Sequence, residues 1–253
     1  DKLVQIKLVF TMSAFTKCFR PVSSYPTDFA DLVVWLRADS GVTFDIPTKQ
    51  VSAWADGSGN NNDVAQATKA NQPLRNGYGG QNDKSYFSFD GNGDYLVSDS
   101  NSPITTDFTI FEVSKMSEIT GNVFGWRAGS AAIQVGINAD GSFSTKVSDG
   151  TNALLTSTAI VNLGENHIGI LKKHNKRIDS EYYDLTNTIT KTDSDGSFDN
   201  AFRFNTTQFN IGSFGISEYL SGQVQEVIVY NRALSSNEIA DVRGYLNLKY
   251  KIY

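Results

Sequence analysis

Along most of the chain, apolar and polar residues fall in short runs that do not recur with a helical spacing. The segments LVVWLRA (32–38), YFSF (86–89), YLVS (95–98), FTIFEVS (108–114), AIQVGIN (132–138), SFSTKVS (142–148), HIGILKK (167–173), QFNIGSF (208–214) and QVQEVIVY (223–230) are rich in β-branched and aromatic residues. Several alternate apolar with polar, which predicts strands. Turn signals separate them. Asp140-Gly141 joins two of these runs as a hairpin, and Asp90-Gly91, Asp149-Gly150 and Asp195-Gly196 mark further turns, so the strands should pair antiparallel. Helical spacing occurs near the end. Ser235 stands three residues before Glu238, where hydroxyl and carboxylate can each accept from the other's backbone N–H, and Leu234 and Ile239 sit where a hydrophobic staple needs them. Ile239, Val242 and Leu246 then share one face, which predicts a helix over 236–250 packed on the strands. No period of about 20 to 50 residues is visible, which argues against a propeller or solenoid. The expected fold class is all-β with one short C-terminal helix.

Composition narrows this picture. The 253 residues are 40% hydrophobic and 19% charged, enough apolar material for one large folded domain. Of the acids, 20 are Asp and 7 are Glu, and the short Asp side chain suits a chain with many turns. The net charge of −5, with only a short basic cluster at Lys172, Lys173, Lys176 and Arg177, excludes a phosphate-binding face, so nucleic acid is not an expected partner. Cys18 is the single cysteine, which rules out an intramolecular disulfide and leaves the redox compartment open. No apolar run is long enough for a membrane span.

Residues 1–27 read as an N-terminal arm, because Arg20-Pro21 and Tyr25-Pro26 interrupt regular structure. The arm is either an edge strand of the domain formed by residues 28–253 or a tail that pairs with a neighbouring subunit. Residues 1–11 lack an initiator Met and are too polar for a signal-peptide core, whereas Met12 opens a stretch that reads as a gene start. A processed, tagged or partial chain is therefore expected.

Two regions carry a resemblance. VVWLRADSGVTFD (33–45), VSAWADGSGNNNDVAQATKANQP (51–73) and FSFDGNGDYL (87–96), together with GQVQEVIVYNRALSSNEIADVRGYLNLKYKI (222–252), resemble the laminin G-like, concanavalin A-like lectin/glucanase domains. The resemblance implies that the strands close into two face-to-face antiparallel sheets, a jelly-roll β-sandwich. Function does not travel with such a fold, which hosts lectins, glycanases, adhesive modules and structural proteins.

Glycoside hydrolysis needs two facing carboxylates, about 5 Å apart for retention. Active members of the family, such as the laminarinases, share a strand motif E-x-D-x-x-E. None of Glu112, Glu118, Glu165, Glu181, Glu218, Glu226 and Glu238 has Asp two residues on, and Glu181 and Asp184 should point to opposite faces of a strand. The chain is therefore not expected to be an enzyme. His167 and His174 should likewise face opposite ways and offer no nucleophile a base.

Calcium is the metal the sequence suggests, since it takes carboxylate, amide and carbonyl oxygens. Asp56, Asn60 and Asp63 gather such oxygens in one stretch and Asp193, Asp195 and Asp199 in another, although the same residues also serve as turn formers. Sugar recognition calls for an aromatic ring face beside amides and carboxylates, and Trp126, Tyr182 and Tyr183 are the candidates, with Trp35 and Trp54 assigned to the core. Asn205-Thr206-Thr207 is a glycosylation sequon, meaningful in a eukaryotic secretory route. The expected function is a binding or adhesion module at a cell or extracellular surface that recognises glycan or another surface ligand. The alternative is a structural or decoration protein of a virus particle or other assembly, with the arm as the joint to neighbouring subunits, and a glycan-active enzyme is the minor alternative.

Overall fold

The computed structural model describes residues 24–253, without the side chains of residues 158–160. The arm's apolar stretch at residues 3–10 and Cys18 lie outside the described residues. In chain order the strands are β1 (Leu32–Arg37), β2 (Val42–Phe44), β3 (Val51–Trp54), β4 (Val64–Ala65), β5 (Leu74–Asn76), β6 (Tyr86–Asp90), β7 (Leu96–Ser98), β8 (Phe108–Met116), β9 (Gly121–Ala128), β10 (Ala131–Ile137), β11 (Ser142–Asp149), β12 (Ala153–Ile160), β13 (Asn166–His174), β14 (Arg177–Tyr183), β15 (Thr188–Ser194), β16 (Phe209–Ile211) and β17 (Ser221–Tyr230), followed by helix α1 (Ser236–Tyr250). All strand pairs are antiparallel.

They form two sheets. One runs β15-β14-β13-β8-β17-β6-β5, with β1 also paired to β17, and the other runs β12-β11-β10-β9-β16-β7-β4-β3-β2. β17 shifts register against β8 between Val224 and Glu226, and along its other edge β6 pairs with its first half and β1 with its second. At the far edge the sheets are tied together, since Leu155 N–H of β12 donates to Asp193 Oδ2 of β15 at 2.8 Å.

The core between the sheets is aromatic. Trp54, Phe87, Phe108, Phe124, Trp126, Phe143, Phe204 and Phe209 all lie in it. A second apolar cluster on the outer face of the eight-stranded sheet joins Trp35, Phe111, Val113, Ile168, Ile170, Ile228 and Tyr230 to Ile239, Val242, Leu246 and Tyr250 of α1. The central strands β8 and β17 are thus buried on both faces, which explains their near-continuous apolar sequence.

The helix begins where its capping box predicts. Glu238 N–H donates to Ser235 Oγ at 3.4 Å and Ser235 N–H to Glu238 Oε2 at 2.8 Å. Arg232 Nη2 adds a 2.7 Å bond to Glu238 Oε1, and this bond first, with the Ser235 N–H second, holds the carboxyl down at about 2. Glu226, wholly buried, pins the helix to the sheet. It accepts from Trp35 Nε1 at 2.7 Å, Tyr245 Oη at 3.0 Å, Tyr250 Oη at 2.8 Å and Lys249 Nζ at 2.8 Å. A buried carboxylate is tolerable only with partners of this number and charge.

The described end of the arm packs on the same chain. Pro26–Asp28 form one 3-10 turn, Tyr230 Oη donates to the Pro26 carbonyl at 2.8 Å, and the Tyr25 and Tyr245 rings lie 5.7 Å apart.

Candidate functional site

The outer face of the nine-stranded sheet carries a polar groove of about 410 Å³. Strand alternation builds it. On β10, Ile133, Val135 and Ile137 enter the core, on β11 Phe143 and Val147 do, and on β12 Leu154 does. The residues between them therefore face outward. Register places Gln134 beside Lys146 and Lys146 beside Leu155, while Gly136 lies between Asn122 and Ser144. Ile137, Asn138, Ala153 and Glu218 complete the lining.

Gly136 is required there. A Cβ at this position would stand 2.3 Å from the Gly121 carbonyl oxygen and 2.8 Å from Asn122 Cα, so the floor stays free of a side chain. Glu218 enters from the loop before β17, in the left-handed conformation with φ of 49°. Asn122 Nδ2 and Gln134 Nε2 both donate to its Oε2 at 3.1 Å. Its Oε1 and the Lys146 ammonium have no partner among the described residues, so the groove is lined by a carboxylate held through one oxygen and by an unpaired cation. Such a set can accept from and donate to several hydroxyls of one ligand.

The aromatic candidates lie elsewhere. Trp126 is 1% exposed, with its ring edge-on to Phe204 at 5.3 Å and its Nε1 donating to the Thr207 carbonyl at 3.1 Å. Tyr182 is also 1% exposed, against Phe143 and His167. Tyr183 lies on the opposite face of β14, beneath the Arg243 guanidinium and beside Tyr253. Consecutive strand residues point to opposite faces, so the tyrosine pair forms no common platform, and none of the three rings offers a free face.

The acidic candidates act as turn acceptors. Asp56 accepts from the N–H groups of Trp35, Ser58 and Asn62, Asp63 accepts from Asp56 N–H, and Asn60 Nδ2 donates to the Leu32 carbonyl. Asp193 ties β12, while Asp195 and Asp199 accept from Ser197 and Ala201 N–H groups. Oxygens that face N–H donors do not converge on one cation. Among the described residues no three His, Cys, Asp or Glu side chains come together in a metal-binding group.

The two histidines part as expected. His174 is exposed, whereas His167 is buried with Nε2 at 3.0 Å from Glu112 Oε1 and 3.2 Å from Ser114 Oγ. Sequence reasoning missed this buried pair, although a Glu inside the apolar run FTIFEVS is the signal that could have found it. Glu218 carried no signal, because a loop glutamate looks like any surface acid.

No family model matches the chain, and no curated protein matches it significantly. Solved structures do. The chain is similar to domain 4 of AbnA, a GH43 extracellular arabinanase from Geobacillus stearothermophilus, in complex with arabinotriose, at 11% identity and a TM-score of 0.59, covering 84% of this chain and 98% of that one. A GH54 α-L-arabinofuranosidase soaked with a cyclic sulfate inhibitor shares 13% identity with a TM-score of 0.61, over 90% of this chain and 61% of that one. The Trypanosoma rangeli sialidase in complex with the inhibitor DANA shares 17% identity with a TM-score of 0.55, over 85% of this chain and 33% of that one.

These likenesses show the fold, a lectin-like β-sandwich. The chain spans about three fifths of the arabinofuranosidase and a third of the sialidase. They also correct one expectation. Glycoside hydrolases caught with inhibitors stand among the chain's structural neighbours, so the missing E-x-D-x-x-E motif is no ground for setting catalysis aside. No helix among the described residues is long and apolar enough to cross a membrane.

Proposed function

We propose that the chain is a glycan-recognising β-sandwich domain of the laminin G-like, concanavalin A-like kind, working outside the cell, and that an oligosaccharide lies in the groove beside Glu218. The observation that carries this reading is the Glu218 carboxylate at the groove, held by Asn122 and Gln134 through one oxygen while the other has no partner among the described residues. Amide-fixed carboxylates and free amines match the vicinal hydroxyls of sugars, and the open row of Gln134, Lys146 and Leu155 leaves length for more than one ring. The sugar-bound neighbours support a glycan over another small ligand. Residues 28–253 would form the domain and residues 1–27 an extension to it. The assembly reading would have the arm join neighbouring subunits, whereas its described residues Tyr25 and Pro26 pack on this chain, and the comparisons add nothing to it.

The test is calorimetric titration with arabinotriose, preceded by a glycan array to find the preferred sugar, with reducing ends counted in the same samples to detect turnover. Glu218→Ala should lower the affinity for the best glycan at least tenfold without moving the melting temperature. An array with no hit, or a hit whose affinity Glu218→Ala leaves unchanged, refutes the groove as the site.

A further inference from the structure

A second cavity lies on the eight-stranded sheet, where α1 meets β1 beside the described end of the arm. It holds about 300 Å³, at the lower end of the roughly 300–1,000 Å³ of small-ligand sites. Tyr25, Tyr245 and Leu248 supply its apolar wall, and Arg37, Asp39 and Lys249 its polar one. Unlike Trp126, Tyr182 and Tyr183, its aromatic wall can be reached from solvent, since Tyr25 is 54% exposed.

The lining is held in place from behind. Tyr245 Oη donates to the buried Glu226 at 3.0 Å, its ring stands edge-on to Trp35 at 6.2 Å, and the Tyr25 ring lies 5.7 Å from it. Tyr25 is fixed in turn by the 3-10 turn that follows, where its N–H donates to Asp28 Oδ2 at 2.8 Å. Strand alternation puts Arg37 on the same face of β1 as Trp35, and the guanidinium lies over the indole at 4.1 Å. Its one hydrogen bond among the described residues, from Nη2 to Ser40 Oγ, is 3.4 Å long, and it has no ion pair among them, so most of its N–H groups are unused. Lys249, bound to Glu226 Oε2 at 2.8 Å, also pairs with Asp39 Oδ2 at 3.1 Å. That pair fixes the Asp39 carboxylate, whose Oδ1 has no partner among the described residues.

The lining specifies the ligand. Two tyrosine rings and a leucine suit an apolar C–H face, the Arg37 guanidinium calls for an acceptor, and Asp39 Oδ1 calls for a donor. A hydroxyl is both, so neighbouring hydroxyls on one ring meet both demands. Charge then decides between neutral and ionised rings. Arg37 and Lys249 are balanced by Asp39 and Glu226, so a ligand carboxylate would meet Asp39 and a ligand ammonium would meet Arg37, each at a like charge. We infer that this pocket binds one neutral pyranose unit, its C–H face on Tyr25 and Tyr245 and its neighbouring hydroxyls shared between Arg37 and Asp39. The inference does not depend on the Glu218 groove, which lies on the nine-stranded sheet.

Glucose, galactose and mannose are the probes, each titrated into the full chain by protein-observed NMR. At least one should shift the amide signals of Arg37, Asp39 and Leu248, and its own uronate and amino sugar should bind at least tenfold more weakly. Tyr25→Ala should weaken the preferred sugar at least tenfold, while Tyr25→Phe, which keeps the ring, should bind as the unsubstituted chain does. That rescue separates a lost ring face from lost folding. Asp39→Asn, which removes the anion and keeps the shape, should also weaken binding at least tenfold, and Glu218→Ala should leave these shifts unchanged. No shift at these signals with any of the three sugars, equal binding of the charged sugars, or indifference to both Tyr25→Ala and Asp39→Asn overturns the proposal.

Discussion

Asp94 offers a measurement in which charge and burial can be separated. It stands in the Asp90-Gly91-Asn92-Gly93-Asp94 turn before β7 and is 6% exposed, with Oδ2 accepting from Asp90 N–H at 3.1 Å. Burial, and secondarily the charge of Asp90, raises its carboxyl from the ordinary 3.8 to about 6, against the opposing pull of the Asp90 N–H. A folded value above the unfolded one means that the native state holds the proton more tightly. Stability from this group is therefore present in full below pH 4 and is lost as pH rises to about 6. A difference of about two units at about 1.4 kcal/mol each gives about 3 kcal/mol as the upper limit of the cost at neutral pH, since relaxation around the anion reduces it. Asp94→Asn keeps the shape and an acceptor for Asp90 N–H while removing the charge. Urea unfolding at pH 7.5 should show the variant more stable by about 1–3 kcal/mol, and at pH 4 the two proteins should agree within about 0.5 kcal/mol. The same difference at both pH values, or a variant less stable at pH 7.5, would refute the assignment of the shift to a buried anion.

Other substitutions probe the frame around the two cavities. Glu226→Ala removes the acceptor shared by Trp35, Tyr245, Lys249 and Tyr250, and urea unfolding should show a loss of about 3–5 kcal/mol. Ser235→Ala deletes the N-cap of α1 and should cost about 1 kcal/mol in the same assay. Trp126→Ala empties the core beside Phe202 and Phe204 and should destabilise by about 3–5 kcal/mol, whereas a surface platform residue would cost almost nothing.

Local pattern reached far into this fold. The range 236–250 was legible because capping is a contact between residues three apart, and Ser235 and Glu238 meet whatever the rest of the chain does. The strands with strong β-branched and aromatic runs, such as β8 and β17, were legible for the same reason. The sequence pattern passed over the short β2, β3, β4 and β5, over β9, whose glycines interrupt the alternation, and over β12, β14 and β15, where Thr, Ser and Asp are frequent and neighbouring strands supply the stabilisation.

The sites were far less legible. Trp126, Tyr182 and Tyr183 have the residue types of a sugar platform, but strand register sends Trp126 and Tyr182 into the core and Tyr183 beneath α1. Which face of a strand meets solvent depends on what lies across the sheet, and no local signal carries that.

By itself, then, the sequence determined the strand-rich class, the antiparallel turns and the capped helix, all of which depend on contacts within a few residues. Only the tertiary structure decided that Gln134, Lys146 and Glu218 share a groove and that Tyr25, Arg37 and Tyr245 share a pocket. Gln134 and Glu218 are 84 positions apart in the chain, and residues so distant meet because backbone pairing across the sheets, and the seat of α1 on β1, fix which side chains become neighbours.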